Sequence, residues 1–138
     1  MADVTTITKN GTVYALFFRK EVSTENGAKF FTEDSDAFQV GLLERPAGYE
    51  VKPHLHPERP VEVQTVSEFL YIEKGRVAVT VLGEDWEELG SQELTAGDFL
   101  LFLRGGHKLT MLEETRMIEV KQGPYLGDMG AKVFQPEQ

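Results

Sequence analysis

EFLYIEKGRVAVTVLG, residues 68–83, consists of two short apolar runs on either side of Gly75. In the first run Phe69 and Tyr71 alternate with Glu68, Leu70 and Ile72. Side chains two apart on a strand share a face, so the run reads as a half-buried β-strand with Glu68 on the face opposite the aromatics. Glu73-Lys74-Gly75 lies between the runs as a glycine-containing hairpin loop does, so the segment is expected to be a hairpin.

The same texture continues outward. TVYALFF (12–18), AFQVGLLER (37–45), DFLLFL (98–103), HKLTML (107–112) and RMIEVKQ (116–122) are short and rich in Val, Ile, Phe, Tyr and Thr, residues that suit a pleated surface. Ala96-Gly97-Asp98 and Arg104-Gly105-Gly106 punctuate the run between them. No stretch carries a capped helical period, and EDWEELG (84–90) is too short to do so. Many short strands with turns at this spacing predict an all-β sandwich or barrel. Repeats, low-complexity segments and Pro/Ser linkers are missing, so residues 1–138 are expected to form one domain.

Composition excludes several classes of function. A net charge of −9, with Lys and Arg scattered, argues against binding nucleic-acid backbones. Polar residues interrupt every apolar run, so no membrane span is expected. The first residues, MADVTTITKNG, do not read as a secretory signal, and a cytoplasmic location is the default expectation. Without cysteine the chain has neither disulfides nor thiolate metal sites.

The three histidines are His54, His56 and His107. If residues 54–56 form a strand, both imidazoles project to one side. Pro53 and Pro57 bracket them and restrict the backbone, as at a sheet edge. Two imidazoles with a carboxylate such as Glu68 suit an open centre for a divalent first-row metal. The order is Gly48, five residues, His54-x-His56, eleven residues, Glu68, six residues, Gly75, and later Gly97-Asp98 and His107.

This order resembles the cupin superfamily, whose first motif runs G-x5-H-x-H-x3-4-E-x6-G and second G-x5-P-x-G-x2-H-x3-N. The resemblance covers about residues 37–122 and implies a small cupin-type antiparallel β-barrel, a jelly roll or double-stranded β-helix. It also implies a divalent transition metal (Zn, Ni, Mn, Fe, Co or Cu) held by His54, His56, Glu68 and His107. The gap from His56 to Glu68 is longer than usual and contains Glu58 and Glu62. In the second motif Leu103 replaces proline, Gly106 alone separates Gly105 from His107, and Met111 replaces asparagine. Cupins often pair through their sheets, which implies a homodimer.

RMIEVKQ sets Met117, Glu119 and Lys121 on one face and Ile118, Val120 and Gln122 on the other. Ordinary alternation buries Ile118 and Val120 and leaves Glu119 and Lys121 in water. A lumen-facing arrangement makes Glu119 and Lys121 the catalytic candidates, as acid/base groups or contacts to a substrate carboxylate. Arg76 and Arg104 are further candidates for gripping an anion. The function expected is a metal-dependent enzyme on a small polar substrate, of isomerase or dioxygenase type. The alternatives are a non-catalytic sensor or accessory cupin and a metal-free sugar-nucleotide epimerase. No DNA-binding helix-turn-helix segment is visible.

Overall fold

The computed structural model describes residues 3–137. The fold is mostly β and every strand pairing in it is antiparallel. The strands are β1 (Val4–Lys9), β2 (Thr12–Phe18), β3 (Gly27–Phe30), β4 (Gly41–Glu44), β5 (Glu68–Lys74), β6 (Arg76–Leu82), β7 (Glu88–Thr95), β8 (Phe99–Phe102), β9 (Gly106–Met111) and β10 (Arg116–Lys121). A short helix, α1 (Asp128–Ala131), follows. Five strands form one sheet in the order β1-β2-β8-β5-β10, three form a second in the order β7-β6-β9, and β3 pairs with β4.

The expected hairpin at residues 73–75 does not form. β5 pairs with β8 and β10, while β6 pairs with β7 and β9. Gly75, the only residue between β5 and β6, is too short a loop for the strands to pair back on each other. It turns the chain from one sheet into the other instead, as strands do at the corners of packed sheets. Its φ is +98°, and a Cβ would sit 2.7 Å from Thr115 Cα, so only glycine fits. A true two-residue hairpin joins β1 to β2 through Asn10 and Gly11, both at positive φ, with Lys9 opposite Thr12.

The two larger sheets face each other across an apolar layer. Ala15, Phe17, Leu70, Ile72, Leu100 and Phe102 come from the first, and Val77, Val79, Val81 and Leu94 from the second. β2 and β8 bury both their faces. Their other side chains, Leu16, Phe18 and Leu101, join Leu103 in a second layer covered by Val22, Phe31, Phe38 and Val40. There Phe18 stacks on Phe99 at 4.7 Å and meets Phe31 edge-on at 5.1 Å. Phe69 packs against this layer too, so the outer-face aromatic of β5 lies partly beneath the chain's earlier segments.

Asp98 locks the turn between β7 and β8. This buried carboxylate accepts from the backbone N–H of Lys20 and Thr95 and from the Thr95 hydroxyl, and pairs with Arg19 at 3.2 Å. Residues 45–67, between β4 and β5, contain no strand, and most of them are exposed. The strand expected over residues 37–45 contracts to Gly41–Glu44.

Candidate functional site

Glu68 opens β5 on the face that Leu70 and Ile72 bury. Across β8 it lies opposite Phe102, and across β10 opposite Lys121. Directly paired residues in an antiparallel ladder share a face, so Phe102 and Lys121 point the same way as Glu68. Glu119, opposite Leu70, joins them. From the second sheet His107, opposite the buried Val81, points toward the same space. His107 Nε2 lies 3.4 Å from Glu68 Oε2, and its ring stacks on Phe102 at 4.0 Å and 12°.

The turn of Arg104, Gly105 and Gly106 makes this approach possible. Gly105 has φ +76°, and a Cβ there would meet the Leu82 carbonyl oxygen at 2.5 Å and the Tyr14 ring at 2.7 Å. This glycine turn therefore delivers His107 inward.

Electrostatics distinguish this cluster from a surface ion pair. Burial, followed by the hydrogen bond and charge of Glu119, pushes the Glu68 carboxyl from 4.5 up to about 7. The hydrogen bond with Glu68 holds Glu119 below the ordinary carboxylate range, so a shared proton resides on Glu68. Burial pushes His107 down, favouring neutral imidazole. The 3.4 Å separation is that of an ion pair, yet burial favours the neutral form of both partners. Near neutrality the two groups are thus in close polar contact without forming a charged bridge. Lys121 Nζ lies 3.6 Å from Glu119 and over the Tyr125 ring. Lys132, a residue the sequence did not single out, adds positive charge that acts on Glu68, Glu119 and His107.

On β10 the expected burial is reversed. Met117 packs against the core, while Ile118 and Val120 are 48% and 53% exposed. β10 is an edge strand whose outer side has no covering layer among the described residues. Glu119 and Lys121 consequently share the inward-facing side with Met117, although both retain access to water.

His54 and His56 are not on a strand, so alternation does not apply to them. They lie exposed on the irregular segment with their rings 5.2 Å apart, edge to face. His54 Nδ1 is 2.7 Å from the Lys52 carbonyl oxygen. Pro53 and Pro57 have no N–H to give to a sheet ladder, which accounts for the missing strand. In the same segment Glu62 accepts a hydrogen bond from Gln64. Among the described residues no three His, Asp or Glu side chains stand together as a metal cage. Glu68 and His107 do fit two positions of one, being an oxygen and a nitrogen donor converging from facing sheets.

The arginine candidates lie elsewhere. Arg76 makes a 4.0 Å surface contact to Glu93. Arg104 donates to the Val13 carbonyl and pairs with Asp36, tying the N-terminal segments to the sheet. Two surface hollows also lie apart from Glu68, one lined by Lys74, Glu114, Thr115, Arg116 and Met117 and the other around Arg19 and Asp98. Comparison with known protein families, characterised proteins and solved structures finds no match to this chain.

Proposed function

We propose that this protein is a metal-binding cupin that acts on a small polar substrate. The carrying observation is the convergence of Glu68 and His107 from opposite sheets at one point. These two residues supply half of the ligand set, and His54 and His56 supply the rest. The eleven residues between His56 and Glu68 span at most about 40 Å when extended, so the pair is tethered within reach. The sharp crossing at Gly75 and the antiparallel sheets facing one another suit a jelly-roll barrel.

A divalent ion bound there supplies Lewis-acid chemistry for isomerisation or for oxidation by dioxygen. The chain's own residues do the rest. Neutral His107 is ready to donate a lone pair, and Glu68 does so once it loses its proton. Glu119, beside it, accepts a proton at its carboxylate, and Lys121 holds that carboxylate in place. Phe102, Leu109 and Met117 back the cluster with apolar surface. A second copy of the chain is the proposed partner, seated on the uncovered outer side of β10.

A metal-free reading is favoured by one observation, the approach of Glu68 to His107 at 3.4 Å, where burial and Glu119 push the carboxyl up to about 7. A carboxyl near pH 7 beside a neutral imidazole is suited to proton transfer unaided. Elemental analysis of chain purified without added metal or chelator, followed by an oxygen-uptake screen, tests the main reading. Stoichiometric metal supports it. Metal-free protein that cannot be loaded with Zn, Ni, Mn, Fe, Co or Cu would refute it.

A further inference from the structure

We propose that Phe102 is the positioning residue that aims the His107 imidazole at Glu68. Phe102 ends β8, is 3% exposed, and stands directly opposite Glu68 in the β5–β8 pairing. Its ring also lies 4.0 Å from the His107 ring, at 12° from parallel. One aromatic side chain therefore touches the histidine and shares a ladder position with the carboxylate.

Geometry makes this contact consequential. Phe102 belongs to the five-stranded sheet and His107 to the three-stranded one, and only residues 103–106 lie between them. The backbone turn at Gly105 brings His107 inward but leaves its ring free to rotate. Rotation about the bond from Cβ to an imidazole is broad, with no sharp preferred angle. Stacking on a flat ring narrows that freedom, holding the imidazole within 12° of parallel to Phe102. In that plane Nε2 falls 3.4 Å from Glu68 Oε2. An aliphatic side chain can fill the same space without imposing a plane.

Proton NMR of the full chain tests the positioning, with the His107 signals identified by their loss in His107→Gln. Protons held over an aromatic face resonate upfield, so His107 should stand apart from the exposed His54 and His56. Phe102→Leu and Phe102→Met should bring its ring signals back toward theirs, whereas Phe102→Tyr, which keeps the ring, should not. The metal arm rests on the proposed function. Zinc affinity should fall about tenfold in Phe102→Leu, the lower end of the range for residues that orient metal ligands, and stay near wild type in Phe102→Tyr. His107 signals unmoved by Phe102→Leu and Phe102→Met would overturn the inference. So would an affinity loss in Phe102→Tyr equal to that in Phe102→Leu, which marks mere packing. If the wild-type chain takes up no zinc, the metal arm drops out, and the ring signals alone uphold or overturn the positioning.

Discussion

Replacing Glu68 with glutamine in the metal-free chain should stabilise the protein at about pH 8 and change little at about pH 4. The carboxyl titrates near 4.5 when unfolded and at about 7 when folded. Between those values the folded chain holds a proton that the unfolded chain has released, so stability falls as pH rises through that window. Each pH unit is worth about 1.4 kcal/mol, so the climb from 4.5 to about 7 corresponds to about 3 kcal/mol. The side chain is only 21% exposed, so water screens little of this. Glutamine keeps the shape and a donor toward Glu119 but never ionises. Urea unfolding of both proteins at intervals from about pH 4 to 8 gives the difference directly, and the His107 titration largely cancels in it. The variant's advantage should open from near zero to about 3 kcal/mol. Parallel curves across the window would show that Glu68 is neither buried nor coupled as described.

Other outcomes follow from the same geometry. Metal affinity should climb with pH up to about 7 and then level off, because Glu68 must lose its proton to become a ligand; calorimetric titration at several pH values checks this. Chelator should lower the melting temperature, since metal at a hundredfold excess over Kd stabilises by about 2.7 kcal/mol, and His54→Ala should abolish that dependence. His107→Ala and His56→Ala should lose comparable metal affinity if both belong to one centre, and near-wild-type affinity in His107→Ala would reject the four-ligand set. Asp98→Ala should cost about 3 kcal/mol or more in urea unfolding, because it leaves Arg19 and two backbone N–H groups without their buried partner.

Six of the seven strand-like runs lie within a residue of an observed strand, since Val, Ile, Phe and Tyr suit a pleated, half-buried surface. β1, VTTITK, carries too little apolar pattern to mark a strand, although Asn10-Gly11, the strongest short hairpin signal, stands at its end. β7 has almost no apolar pattern, because most of its side chains are polar and Leu94 alone is buried. The corner at Gly75 looked like a hairpin because local sequence marks a change of direction, not which strands then pair. At the site, Glu68 and His107, which stand 3.4 Å apart, are two of the four residues that the cupin resemblance singles out. The inward face of Glu119 was available from alternation, but choosing the buried face needed the knowledge that β10 is an edge. Phe102 left no cue: its relation to His107 depends on a glycine turn that folds the chain between sheets. The pairing of His54 with His56 assumed a strand that two prolines prevent.

The order of strands in the larger sheet has a consequence for how the chain is made. β2 lies between β1 and β8, and Phe18 sits opposite Phe99, so 81 residues of synthesis separate the two sides of that pairing. At 5–20 residues per second, roughly 4 to 16 s pass between the appearance of one and the other. During that interval the β1–β2 hairpin has closed its own turn while TVYALFF, destined for burial on both faces, has no second neighbour. The nascent protein therefore carries an adhesive apolar edge until DFLLFL emerges to cover it. Yield of folded chain should depend on how fast the ribosome traverses residues 19–98 and on whether a chaperone shields the hairpin meanwhile.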